Sequence, residues 1–325
     1  MSHALFAAGD GIAGPAPYVI HSRARTDRGP DDLSYLMSGT RSAVMIGDLM
    51  MRCGVETDVD GGVRLAMGGT DIAKVSLKIE AKDEKDAPVL DPAILGPQMA
   101  YLRSYADLRG DRIGEIDVQL TDIISFLGAG ARLDGGARRN TLELLHLVQD
   151  VAYMLTMAVK HRFRLARPVD LDPRVHPIIP TPDHSSFPSG HSTESFAVAT
   201  VLTRLMGRAT VGAALDKNDI AFQAAHRVAV NRTVAGVHYP MDNAVGGVLG
   251  VAIGEALCAM AGAGKGLGLR FDLGGCDATY SAADDFELSW LRDQVASGRD
   301  VAVGEVGLMK TFWARAADEW PEPAE

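Results

Sequence analysis

Lys160 and Arg167 stand seven residues apart, and Pro168 follows the arginine. On a continuous helix, positions i and i+7 differ by about 20° around the axis and about 10 Å along it, so both cations can face one site. Pro168 disfavours helical geometry at Arg167, which lets the arginine come instead from the turn that leaves the helix. His161, Arg162 and Arg164 complete a basic cluster that equally suits a solvated helix end, where the dipole favours cations. Further along, Phe187-Pro188-Ser189-Gly190-His191-Ser192-Thr193-Glu194 joins a proline-rich loop to an apolar run. Proline followed by small residues at a helix start exposes several backbone N–H groups together, a place where anions bind, with His191 beside them. A third group, Arg232, His238 and Asp242, puts a cation, an imidazole and a carboxylate within eleven residues. There Asp242 can orient His238 and raise its basicity, or serve as the N-cap of the next helix, or do both.

These residues need elements to hold them. Asn140 reads as the N-cap of a long helix whose stripe runs Leu144, Leu145, Val148, Val151, Ala152, Leu155 and Val159 and which delivers Lys160. Pro173, Pro177, Pro180 and Pro182, with Pro188 just beyond, stiffen the loop from Val169 to Phe187. Phe196 to Met206 has helical spacing and stops at Gly207, and another helix runs from after Asp219 to Gly236, with Arg232 near its end.

Upstream, Leu33 to Met51 suggests one or two short helices, and helical stripes follow Pro92. Between them Val55/Thr57/Val59, Val63/Leu65/Met67 and Val75/Leu77/Ile79 alternate with polar residues, with Gly61-Gly62 and Gly68-Gly69 as turns. That pattern predicts a small antiparallel sheet. Residues 1–30 read as an irregular arm, and Lys82 to Asp86 before Pro88 as a solvated linker. The expected division is an N-terminal arm with a small β-containing subdomain over 1–90 and a helical catalytic domain over 91–325, with the site at 160–242.

With 325 residues and 47% hydrophobic content the chain can fill a substantial core. A formal charge of −10 argues against a nucleic-acid partner, because phosphate backbones demand a basic surface. Cys53, Cys258 and Cys276 are odd in number and in no metal-ligand spacing, which favours a reducing compartment over disulfides or zinc. Met1 to Ile20 lacks the pattern of a signal peptide. The longest apolar run, Ala244 to Ala263, carries Glu255 and five glycines and is expected to be a buried bundle helix packed closely through glycine, not a span. The chain is accordingly expected to be cytoplasmic and not an integral membrane protein, with homo-oligomerisation left open.

Taken together, K-x6-R-P at 160–168, P-S-G-H at 188–191 and R-x5-H-x3-D at 232–242 resemble the three-part signature of the type 2 phosphatidic acid phosphatase and vanadium haloperoxidase superfamily. Asn231 departs from it, since phosphatases of the family usually have Ser before the arginine. The resemblance implies a mainly α fold, a helical bundle enclosing a tetrahedral oxyanion site, here with a small antiparallel β element in the N-terminal part. It implies that Lys160, Arg167 and Arg232 bind the non-bridging oxygens, with Ser189 and the Gly190 amide completing the cradle. By the same likeness His238 attacks phosphorus, Asp242 orients it and His191 protonates the leaving oxygen.

Two branches share this cradle. A phosphoric monoester hydrolase would need no cofactor and would act on a small phosphate ester or a lipid phosphate. A haloperoxidase would hold vanadate, bonded to His238. His184 resembles a second active-site histidine of the family's bromoperoxidases and equally suits an exposed loop. The close spacing of the motifs, the reducing compartment and the 13 methionines, whose thioethers oxidise readily, favour hydrolysis. A third reading, an anion-binding protein without turnover, fits least, because His191, His238 and Asp242 keep catalytic spacing.

Overall fold

The computed structural model describes residue 29 and residues 31–82, 88–207, 210–275 and 277–320. It separates into two units, Met1–Tyr35 and Leu36–Glu325. Of the first, the described part holds a turn in which the Asp32 amide donates to the Gly29 carbonyl at 3.0 Å. The expected arm over 1–30, apart from residue 29, lies outside the described residues, as do Cys276 and all but Lys82 of the charged linker.

The second unit begins with α1 (Ser38–Met50), then β1 (Cys53–Thr57), β2 (Val63–Met67), β3 (Thr70–Leu77), β4 (Ile79–Lys82) and β5 (Pro88–Leu90). Helices α2 (Pro92–Tyr105), α3 (Arg109–Val118), α4 (Ile124–Gly128) and α5 (Arg139–Phe163) follow. After them come α6 (Pro168–Leu171), α7 (Gly190–Leu205), α8 (Val211–Asp216), α9 (Ile220–Val234) and α10 (Pro240–Met260). The described chain closes with β6 (Gly266–Leu273), α11 (Leu288–Ser297), β7 (Arg299–Val301) and α12 (Gly307–Ala317).

The mainly helical class expected from sequence is what is found, and α7 is its axis, packed against α10, α5 and α9. Close approach of α7 and α10 depends on glycine. Gly246, Gly250 and Gly254 repeat every fourth residue on one face of α10, and a Cβ at each would come within 2.6, 2.5 and 2.6 Å of α7 atoms. Glu255, the odd charge in this apolar helix, is buried against Arg204 of α7, with Nη2 to Oε2 at 2.6 Å and Nε to Oε1 at 3.2 Å. A buried carboxylate is tolerated there because a bidentate guanidinium meets it.

The alternating segments do pair as an antiparallel meander, β1-β2-β3, with Val63, Leu65 and Met67 all buried. The sheet does not stop there. β6 adds parallel to β3 and β7 antiparallel to β6, giving the order β1-β2-β3-β6-β7. Two strands from beyond residue 265 therefore complete a sheet that the N-terminal segments begin. Val59 falls outside it, in a turn closed by the Asp58 amide on the Gly62 carbonyl at 2.7 Å.

The predicted stripe of α5 is buried throughout, but Asn140 is not its N-cap. The carboxylate of Glu319, past the end of α12, accepts from the Asn140 and Thr141 amides, both at 2.8 Å. An acidic group at the helix start supplies the acceptors that a local cap would have provided.

The membrane expectation is corrected here. Among the described residues two segments, Arg139–Leu171 and Pro240–Met260, are long and apolar enough to cross a bilayer by length and composition, where the apolar run of the sequence pointed to the second alone. The first carries Gln149 and Asp150 beside its apolar stripe and the basic cluster at its end, so its sequence is not one continuous apolar run. Half of its apolar window and all of the second are buried inside the protein.

Candidate active site

The three groups of residues meet around one cavity of about 120 Å³, whose wall includes Lys160, Arg167, Gly190, His191, Arg232 and His238. A wider basin of about 640 Å³ shares Lys160, Arg167 and His184 with it and opens outward. Ser189 and Asp242 stand behind the wall, where the Ser189 amide donates to the Asp242 carbonyl at 2.8 Å and couples the starts of α7 and α10. Ser192 Oγ strengthens that coupling by donating to the Asn243 carbonyl at 2.7 Å.

Lys160 reaches the site from the last turn of α5. Its Nζ donates to the carbonyls of Ser185 at 2.7 Å and Ser186 at 3.0 Å, leaving one ammonium proton uncommitted. Arg167 comes from the exit turn and not from the helix: Arg164 takes a left-handed φ of 53°, and Arg167 itself is extended. Its Nε donates to the His184 carbonyl at 3.1 Å and its Nη1 to the Val237 carbonyl at 2.9 Å. His184 is half-buried, with Nδ1 3.2 Å from Arg167 Nη2, so it belongs to the cavity and is not a free loop residue. His161, Arg162 and Arg164 are exposed.

His238 lies in the connection between α9 and α10. Its Nδ1 is 3.0 Å from Asp242 Oδ2 and its Nε2 is 3.4 Å from Arg167 Nη1. The carboxylate can only accept and the guanidinium can only donate, so Nδ1 carries the proton and Nε2 presents its lone pair. Asp242 Oδ2 also accepts from the Tyr239 amide at 3.1 Å and from Ser186 Oγ, which fixes the carboxylate and through it the ring. Asp242 thus orients His238 and closes the first turn of α10 at once. Burial, then the Arg167 and Lys160 charges, hold the His238 imidazolium well below its ordinary range.

Arg232, in the last turn of α9, is buried with Nη2 donating to Gln119 Oε1 at 2.9 Å. Its Nε and Nη1 find no partner among the described residues, and neither does Ser189 Oγ. Buried donors of this strength are left without a partner only where something else completes them, and an oxyanion at the start of α7 would.

His191 Nε2 stands 3.0 Å from the Gln119 carbonyl, an acceptor, so Nε2 is the protonated nitrogen and Nδ1 is free. Burial and the Arg232 charge push this imidazole down to about 3, so it is neutral at neutral pH while the site holds no anion.

Gln119 therefore touches both His191 and Arg232, and no motif singled it out. It lies just past α3, 72 residues before His191, in a stretch with no chemical pattern. Asn231, the departure from the family signature, belongs to the same network: its Nδ2 donates to Gln119 Oε1 at 3.0 Å and to Glu115 Oε2 at 3.1 Å, and its Oδ1 accepts from Arg112 Nη1 at 2.9 Å. Glu194, three residues past the P-S-G-H motif, also lines the cavity, and no motif includes it. Its signal was a carboxylate in an otherwise apolar helical run.

Residues 145–263 match the family model of the PAP2 superfamily. Two relatives, each named decaprenylphosphoryl-5-phosphoribose phosphatase and coming from the CDC 1551/Oshkosh and H37Rv strains of Mycobacterium tuberculosis, are 36% identical over 112 residues. The match takes in 34% of this chain and 56% of each relative, so the chain spans about half the length of the curated relatives it matches. A solved structure of a transmembrane PAP2 type phosphatidylglycerolphosphate phosphatase from Bacillus subtilis aligns at 22% identity and a TM-score of 0.38, over 50% of this chain and 84% of that one. Two of the described helices have the length and composition to cross a membrane, so the cytoplasmic location and the exclusion from the membrane are not retained. The matched residues 145–263 carry all three groups of site residues, so the site falls within the segment that is similar to the PAP2 superfamily.

Proposed function

We propose that the chain is a phosphoric monoester hydrolase that works through a phosphohistidine at His238. The observation that carries this reading is the buried His238, with Nδ1 on Asp242 and Nε2 turned to a cavity where Arg232 keeps two unpaired donors. The matching relatives, both named as phosphatases, favour the same chemistry.

Lys160, Arg167, Arg232, Ser189 Oγ and the first amides of α7 take the non-bridging oxygens, and stabilise them more strongly as charge builds in the transition state. His238 Nε2 attacks phosphorus, forming an N–P bond as the ester P–O bond breaks. The arriving phosphate offsets Arg232 and raises the proton affinity of His191, so the ring takes up a solvent proton on Nδ1 and passes it to the leaving oxygen. Water, giving its proton to His191, then attacks phosphorus, the N–P bond breaks, and phosphate leaves with His238 restored. Vanadate fits the same donors, and bound to His238 it would supply peroxide activation; the phosphatase relatives favour hydrolysis.

The test is hydrolysis of p-nitrophenyl phosphate by the purified chain with and without vanadate. Turnover that vanadate inhibits, together with an acid-labile phosphoenzyme absent in His238→Ala, is the expected result. Bromide oxidation that depends on vanadate, with no phosphate release, would overturn it.

A further inference from the structure

Glu194 faces the proposed phosphate site, where a carboxylate competes with the substrate for the Lys160 charge. It sits one turn into α7, its side chain is only 8% exposed, and it forms part of the wall of the 120 Å³ cavity. Gln149 Nε2 of α5 donates to its Oε2 at 3.0 Å, while Oε1 has no partner among the described residues. Oε1 lies 3.4 Å from where a Cβ on Gly190 would stand, so the missing side chain at 190 leaves the carboxyl beside the helix start. Glu194 follows His191 by three positions on the same helix, which puts both on neighbouring parts of one face.

A carboxyl there repels a phosphate unless it is neutral or engaged with a proton donor. Burial raises its affinity for a proton, holding it up to about 7. Its free oxygen points to a donor brought by the ligand on the His191 side, where the leaving alcohol departs. An ammonium group is disfavoured, since Lys160, Arg167 and Arg232 already crowd the cavity with positive charge.

Resting on the hydrolase reading, we propose that Glu194 is a specificity-determining residue that accepts a hydrogen bond from a hydroxyl of the leaving alcohol, selecting phosphate monoesters of polyols over those of simple alcohols.

The experiment compares kcat/KM for glycerol 3-phosphate, propyl phosphate and 2-aminoethyl phosphate in the wild type, Glu194→Gln and Glu194→Leu, with p-nitrophenyl phosphate alongside. The wild type is expected to favour glycerol 3-phosphate over propyl phosphate by about tenfold, the worth of one good hydrogen bond to a buried acceptor. Glu194→Leu should bring that ratio to near one, and Glu194→Gln, which keeps an acceptor oxygen, should retain most of it. A wild-type ratio of one overturns the proposal without recourse to any variant, as does a ratio that survives Glu194→Leu or a preference for 2-aminoethyl phosphate. Failure of the wild type to hydrolyse p-nitrophenyl phosphate removes the hydrolase reading and this one with it; hydrolysis with a ratio of one removes this one alone.

Discussion

Nδ1 of His238 lies 3.0 Å from Oδ2 of Asp242, and that contact decides which imidazole nitrogen is free to act. Asp242→Asn can turn an N–H toward Nδ1, which favours the tautomer whose Nε2 carries a proton and cannot attack. We expect kcat for p-nitrophenyl phosphate to fall about 100-fold with KM little changed, a loss typical of removing a group that orients a reacting histidine. Steady-state kinetics check this, with thermal unfolding alongside to show that the variant folds.

In the proposed mechanism His191 acts on the leaving oxygen, so its worth depends on how much help that oxygen needs. Nitrophenolate leaves readily and an alkoxide does not. His191→Ala should therefore cost about 100-fold more in kcat/KM with an alkyl phosphate than with p-nitrophenyl phosphate. Equal losses on the two substrates would assign His191 to binding instead of proton donation.

The low proton affinity of His191 has a direction that a fixed-charge anion can read. Sulfate stays dianionic from pH 4 to 8 and favours the protonated imidazole, so its binding raises a value that stands at about 3 without it. Between that value and the raised one, binding takes up a proton, and affinity tightens as pH falls. His238, also held below its ordinary range, adds in the same sense. Sulfate inhibition constants should drop with falling pH, and His191→Gln should remove about one proton from that slope.

Gln119 tests how far the site extends beyond its motifs. Gln119→Leu removes the acceptor shared by Arg232 Nη2 and Asn231 Nδ2 while leaving the backbone carbonyl that meets His191. A loosened Arg232 binds the oxyanion less well, and KM should rise about tenfold, the worth of one charged hydrogen bond. Gln119→Glu should also weaken phosphate binding, because a carboxylate beside Arg232 competes with the substrate for it.

The motif residues were legible because the proposed chemistry forces their types: three cations, two imidazoles and a carboxylate have few substitutes in a site proposed to hold a tetrahedral oxyanion. Helix ends were legible where a local residue sets them, as Asp219 does by accepting from the Ala221 amide, and as Gly207 and Gly236 do with positive φ. Contacts made at long range were not. Glu319 caps α5 from 179 residues away, β6 pairs with β3 across 196 (Ala73 with Leu269), and Gln119 meets His191 across 72. Each depends on where the chain returns, and no periodicity or local propensity encodes that. Asn231 shows the same limit, since its departure from the family pattern makes sense only once Gln119, Glu115 and Arg112 surround it.

Glycine spacing on α10 yields a stability prediction with an internal control. A Cβ at Gly250 would stand 2.5 Å from the Thr193 carbonyl, 2.7 Å from Phe196 Cβ and 2.9 Å from the Ala197 amide. Two of these are backbone atoms that cannot turn aside, so α10 must back away from α7 and carry Asp242 and the Ser189 contact with it. Gly250→Ala should lose about 1–3 kcal/mol of stability, as overpacking of a dense core does. Gly47 lies exposed inside α1 with nothing within 4 Å of its added Cβ, so Gly47→Ala should gain about 0.4–1 kcal/mol by restricting the unfolded chain. Denaturant unfolding of both variants measures the pair. Equal shifts in the same direction would mean that the close α7–α10 contact does not hold in solution.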